Sequence, residues 1–99
     1  MSGDDPVRIP IDGVLDLHAF RPADVRELVP EYLRVCRDRN ILEVRVIHGK
    51  GNGTLRRLTH ALLERDPAVV DYRLAGPEAG GWGATLVRLA PADRVTPSR

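Results

Sequence analysis

Ile41-Leu42-Glu43-Val44-Arg45-Val46-Ile47-His48-Gly49-Lys50-Gly51-Asn52-Gly53-Thr54-Leu55-Arg56-Arg57-Leu58 decides how the rest of the chain is read. Its first part is apolar with a period of two. Leu42, Val44 and Val46 fall on one side of a strand, and Ile41, Glu43, Arg45 and Ile47 on the other. Its last part begins a helix, expected from about Thr54 to Arg65, whose apolar stripe is Leu55, Leu58, Thr59, Leu62 and Leu63. Between them lie one of three histidines, the only lysine, and three glycines at every second position. A glycine-rich turn running into a helix N-terminus presents free N–H groups and the positive end of a dipole, which suits a phosphate. It is not a P-loop, because the lysine sits inside the turn and no Gly-Lys-Ser/Thr ending follows.

Working outward, Val7 to Ile11 alternates weakly around Pro10, and Val14-Leu15-Asp16-Leu17 is a better strand ending at His18. Pro22 suits the first turn of a helix, and Asp24 and Glu27 favour its N-terminus. Val25, Leu28, Val29, Tyr32, Leu33 and Cys36 keep helical spacing, with a kink expected at Pro30 and an end near Arg37, Arg39 and Asn40. Cys36 reads as a packing residue. Pro67 stops the second helix. Val69 to Ala75 and Ala84 to Leu89 are two more strands, separated by a glycine-rich loop from Gly76 to Gly83. On the last strand Thr85, Val87 and Leu89 share a face.

The order is therefore β-α-β-α-β-β, an α/β domain with a mixed four-stranded sheet and two helices. Strands alternating with helices of this length imply parallel pairing through right-handed crossovers. The first three strands then end on one edge of the sheet. His18, the His48 loop and the Gly76–Gly83 loop converge there, with both helix N-termini facing them, where open α/β sheets bind ligands.

Ninety-nine residues suffice for one core. Residues 1–10 and 91–99 are read as flexible tails around a domain at 11–90. Nothing in the chain resembles a membrane span or a leader, and the expected compartment is the cytoplasm. A single cysteine excludes an internal disulfide. The net charge of +1 says nothing about partners, although fourteen of the fifteen basic residues are arginine, the side chain suited to bidentate phosphate contact. A GC-rich genome accounts for most of that bias, so position matters more than number.

Asp16 and His18 are alternate residues, so the carboxylate can fix the imidazole tautomer. The alternative is a turn carboxylate beside an exposed ring. His48 and Lys50 can supply a second imidazole and a cation. Two histidines exchanging protons, with a cation on the phosphate, suffice for phosphodiester cleavage without a metal or other cofactor. Equally, His48 can fix the backbone of a pure binding loop. A single zinc on Asp16, His18 and His48 is the weaker alternative. Arg56, Arg57 and Arg21 stand at helix starts, where a cation is unfavourable unless an anion arrives. Trp82, between Gly81 and Gly83, either stacks on a base or folds back as a lid. His60 reads as a surface residue.

Three blocks, Leu15-Asp16-Leu17-His18, His48-Gly49-Lys50-Gly51-Asn52-Gly53 with Leu55-Arg56, and Gly80-Gly81-Trp82-Gly83-Ala84-Thr85 followed by Val87 and Leu89, resemble in order and spacing the Smr (small MutS-related) domain. The match runs from about Val14 to Leu89. The resemblance implies a two-layer α/β sandwich similar to the C-terminal domain of translation initiation factor 3. It also implies nucleic-acid binding and, in several members, endonuclease activity on DNA or RNA. Asp16 and His18 carry over as the catalytic or activity-determining pair, and His48, Gly49 and Gly51 as a substrate-binding loop. Lys50, Asn52, Gly53, Arg56, Arg21, Gly81, Trp82 and Gly83 are the further nucleic-acid or phosphate candidates. Two departures stand out. Ala19 replaces the usual glycine after the first block, and Arg21 replaces a frequent threonine, removing a helix cap and adding a cation.

The expected function is metal-independent endonucleolytic cleavage in DNA repair, recombination or RNA quality control, by a stand-alone domain that takes any targeting from a repair or ribosome-associated partner. The alternative is a binding module for branched or single-stranded nucleic acid or ribosomes. A binder of small phosphate ligands is a third reading.

Overall fold

Strand β1 (Val14–Asp16), helix α1 (Pro22–Asp38), strand β2 (Glu43–Ile47), helix α2 (Thr54–Arg65), strand β3 (Val69–Leu74) and strand β4 (Ala84–Leu89) follow one another in the computed structural model. The model describes residues 10–49, 51, 53–76 and 83–92. The strands form one sheet in the order β1-β2-β4-β3. β1 pairs parallel with β2, and β4 runs antiparallel to both β2 and β3. β1, β2 and β3 therefore point the same way, as the element order requires, with β4 inserted between β2 and β3.

Each element starts and stops for a local reason. α1 opens at Pro22 and buries Val25, Val29, Tyr32, Leu33 and Cys36 along one stripe. Pro30 interrupts neither the helical run nor the stripe. It is exposed, on the side where a carbonyl without its helical partner can take water. Asn40 has φ 62°, a left-handed conformation that asparagine tolerates. This places the Asn40 N–H on the Arg37 carbonyl (2.9 Å) and the Ile41 N–H on the Cys36 carbonyl (2.8 Å), the paired closure of a Schellman end. Because Ile41 is committed to the helix end, β2 starts at Glu43 rather than at the expected Ile41.

The N-terminal strand is also shorter than expected. Pro10 and Ile11 are not in it, and Val7 to Ile9 lie outside the described residues. Tyr32 anchors this end. Its buried hydroxyl accepts the Gly13 N–H (3.1 Å) and lies within donating distance of the Val14 (3.2 Å) and Pro10 (3.3 Å) carbonyls. In β3 an irregularity between Val69 and Asp71 leaves Val70 53% exposed.

The inner face of the sheet supplies Leu15, Val44, Val46, Val87 and Leu89 to a core closed by α1 and by Leu63 of α2. At about 25 cal/mol per Å² of apolar surface removed from water, this burial is the main force holding the helices on the sheet. The other face carries Val14, Asp16, Glu43, Arg45, Arg73 and Arg88, following the alternation of β1, β2 and β4 and, past its irregularity, of β3.

Candidate functional site

The ends of β1, β2 and β3 share one edge of the sheet. Leu17 continues the ladder past β1 by donating to the Ile47 carbonyl (2.8 Å). The start of β4 lies on the same edge, where the Gly83 carbonyl accepts the N–H groups of both His48 and Gly49 (2.8 Å each). The convergence expected from topology is realised for His18, the His48 loop and Gly83. Lys50, Asn52, Gly81 and Trp82 lie outside the described residues.

Asp16 and His18 form a dyad. One carboxylate oxygen accepts the His18 backbone N–H (3.0 Å) and lies 2.7 Å from ring Nδ1. A carboxylate at neutral pH only accepts, so the Nδ1 proton is fixed and the neutral ring keeps its lone pair on Nε2. The backbone bond first, and the ring bond second, hold the Asp16 carboxyl below its ordinary range. The His18 side chain is 75% exposed, so Nε2 is open to solvent. The turn-carboxylate alternative is thus part of the same geometry.

The second element is the start of α2. Gly53 is its N-cap with φ 87°, and as a glycine it offers no capping side chain of its own. A Cβ built on Gly53 would meet Nη1 of Arg57 at 2.9 Å and Nη2 of Arg56 at 3.1 Å. Both guanidinium groups therefore fold back over the helix start. The N–H groups of the first turn and two cations make a concentration of positive potential where an anion is favoured. Gly49 (φ 80°) and Gly51 have open space on their Cβ side. Arg21 is the N-cap of α1. Its backbone N–H faces Asp24 (3.4 Å), and its exposed guanidinium lies 4.0 Å from the same carboxylate.

The His48 ring lies on the opposite face of the sheet from Asp16. It is 5% exposed. Nδ1 lies 3.0 Å from the Gly49 carbonyl oxygen, and Nε2 lies 2.8 Å from the Thr85 hydroxyl. The same hydroxyl is 2.8 Å from Nε2 of His60. The His60 ring meets His48 edge-on at 6.0 Å and tilts against Tyr72 at 4.8 Å. The Tyr72 hydroxyl donates to Glu64 (2.5 Å). Burial pushes both imidazoles below their ordinary pKa, and the Arg56 charge adds to that shift in each.

This corrects two expectations. His60 is not a freely exposed surface residue but a partly buried member of the His48–Thr85 cluster. His48 has both ring nitrogens engaged inside the protein, so the expected proton exchange between His18 and His48 has no geometry here. Thr85, His60 and Tyr72 were not singled out as site residues. The signal for His60 was its place four residues from both Arg56 and Glu64, one helix face. The signal for Thr85 was a hydroxyl on an otherwise apolar strand face.

Among the described residues, no three His, Cys, Asp or Glu side chains stand together as metal ligands. A cavity of about 660 Å³ lies on the outer face of the sheet. It is lined by Asp12, Glu43 and Asp71 against Arg45, Arg73 and Arg88. That balance of charge gives a polyanion no preference, so the sheet edge, not this cavity, is the candidate site.

Comparison with known proteins agrees with this geometry. The Smr domain family model matches residues 15–90. An Endonuclease MutS2 of Halothermothrix orenii is 35% identical over 79 residues, covering 80% of this chain and 10% of that protein. Another, from Thermomicrobium roseum, is 56% identical over 46 residues, covering 46% of this chain and 6% of that protein. The chain thus spans about a tenth or less of the length of these relatives. The crystal structure of the Smr domain of Thermus thermophilus MutS2 superposes with a TM-score of 0.76 at 34% identity, covering 81% of this chain and all of that one. YdaL, a stand-alone small MutS-related protein from Escherichia coli, gives 0.71 at 28% identity, covering 81% and 66%. With the family model matched across nearly the whole sheet and both helices, the chain belongs to the Smr domain family.

Proposed function

We propose that this Smr domain binds nucleic acid along the sheet edge and cleaves its phosphodiester backbone without a metal ion. The observation that carries the reading is the exposed Asp16–His18 dyad on the edge where the α2 start gathers Arg56 and Arg57. The name of the MutS2 relatives, endonuclease, agrees with it. Asp16 orients the ring, and Nε2 of His18 is the general base. On RNA it takes the 2′-OH proton, the 2′-oxygen attacks phosphorus, and the 5′-oxygen leaves and takes a proton from water. On DNA a water molecule must take the place of the 2′-OH, which makes RNA the chemically easier substrate. The first-turn N–H groups of α2 and the two arginines offset the charge gathering on the phosphate. His48 holds the loop and is not the acid.

One observation favours the second reading, a binding module without turnover. With His48 committed inside the protein, the described residues supply one exposed imidazole and no second proton-transfer group. That reading extends to structured nucleic acid or a ribosome-associated partner.

The test is cleavage of single-stranded RNA, single-stranded DNA and branched DNA in EDTA, with His18→Ala alongside. Loss of a general base lowers the rate by roughly 10²–10⁴-fold and leaves binding intact. For about three phosphate contacts to a single strand, affinity falls roughly 20-fold between 50 and 200 mM salt. Salt-sensitive binding in both proteins, with no cleavage by wild type in EDTA or in added magnesium or manganese, leaves the binding module. Absence of salt-sensitive binding removes both readings.

A further inference from the structure

The His48 cluster carries an inference beyond the dyad and the helix start. A carbonyl oxygen can only accept, so the bond to Gly49 fixes the proton of His48 on Nδ1. The neutral ring must then accept at Nε2, and the donor there is the Thr85 hydroxyl. A hydroxyl has one proton, so its remaining bond must be accepted, and His60 must donate from Nε2. One backbone oxygen thus polarises a chain of three side chains from three places in the fold: just past the end of β2, the start of β4 and the middle of α2. The Gly83 carbonyl clamps the same point from the other side by taking the N–H groups of His48 and Gly49.

We propose that Thr85 and His60 are positioning residues for the glycine loop, holding the neutral His48 ring at Nε2 so that its Nδ1–H ties the Gly49 carbonyl just past β2. Tyr72 steadies the far end of the chain, packing on His60 while its hydroxyl is held by Glu64. The groups that face the two imidazoles are Arg56, Glu64 and Tyr72. Arg56 makes a second proton on either ring unfavourable, while Glu64 acts in the opposite sense on His60. The consequence for binding rests on the nucleic-acid reading above, whereas the tautomer does not.

Long-range ¹H–¹⁵N spectra of the imidazoles test it on the full chain. In wild type, His48 shows the signature of a neutral ring protonated on Nδ1. In Thr85→Val, which keeps the shape and removes the hydroxyl, the His48 Nε2 signal moves because its lone pair loses its donor, and the amide signals of Gly49, Gly51 and Gly53 move. Thr85→Ser restores both. His60→Ala, at a partly buried position, moves the same glycine signals, and His60→Gln, whose amide can still donate, restores them. Affinity for a fluorescent single-stranded oligonucleotide falls about tenfold in Thr85→Val and His60→Ala, the equivalent of one hydrogen bond.

Unmoved His48 Nε2 and glycine amide signals in both Thr85→Val and His60→Ala overturn the proposal, whatever the oligonucleotide does. Should Thr85→Val fail to fold, unmoved glycine amides in His60→Ala overturn it alone. The expected spectral changes in a wild-type protein without oligonucleotide affinity support the positioning chain and remove only the nucleic-acid reading.

Discussion

Alanine at each glycine of the loop separates backbone strain from ligand approach. Gly49 and Gly53 have φ of 80° and 87°, and Gly51 has no such left-handed value. A non-glycine residue in that region costs about 1–2 kcal/mol. Gly49→Ala is expected to lose about that much and nothing more, since among the described residues no atom beyond its chain neighbours lies within 4 Å of the built Cβ. Gly53→Ala carries the same strain and must also push aside the Arg56 and Arg57 guanidinium ends, at 3.1 and 2.9 Å. Gly51→Ala has neither penalty and restricts the unfolded chain, a gain of about 0.4–1 kcal/mol. For a domain of this size, 1 kcal/mol moves the thermal midpoint by roughly 4–8 °C. The assays are denaturant and thermal unfolding with, separately, anisotropy of a labelled single strand. Stability should rank Gly51→Ala at or above wild type, then Gly49→Ala, then Gly53→Ala. Gly51→Ala should nonetheless bind the strand more weakly, because its methyl fills the space a phosphate would enter. A Gly49→Ala protein as stable as Gly51→Ala refutes the strain reasoning. A Gly51→Ala protein that binds like wild type refutes close backbone approach at the loop.

Two further outcomes follow from the core and from the buried imidazoles. Tyr32→Phe leaves the buried Gly13 N–H without its acceptor and should cost about 1–3 kcal/mol, read as a lower urea midpoint with unchanged slope; an unchanged midpoint would mean water replaces the hydroxyl. His48 and His60 both have folded pKa values below the ordinary one of 6.5, so as pH falls the unfolded chain takes up protons first. Their contribution is complete above about pH 6.5 and is lost below it, with a slope of at most about 1.4 kcal/mol per pH unit for His48 and less for the half-exposed His60, where solvent screens. Thermal midpoints from pH 8 to 5 should be level and then fall, whereas Asp16, held low by His18, makes its loss only near pH 4 and below. A midpoint that stays level down to pH 5 would mean that the rings protonate as readily folded as unfolded.

The sequence by itself determined the elements, because their signals are local. Apolar periods of two and 3.6, Pro22 at a helix start and Pro67 beyond a helix end set both helices and the last strand at the bounds observed. It also determined that β1, β2 and β3 are co-directional, because each helix returns the chain to the same end of the sheet. The Asp16–His18 dyad was legible for the same reason: two residues apart, they need only one turn to meet.

What only the tertiary structure decided is strand order and which face each loop residue takes. Nothing local says that β4 enters between β2 and β3, yet that insertion brings Thr85 against His48, 37 residues away, and against His60, 25 residues away. Parity then separates the two histidines that looked like partners. Asp16 and the His18 ring lie on the outer face, while His48, one step past Ile47, turns inward to the hydroxyl of Thr85 on the face it shares with Val87 and Leu89. A hydrogen bond needs its two groups within about 3 Å, and only the packed sheet sets that distance between segments so far apart in sequence.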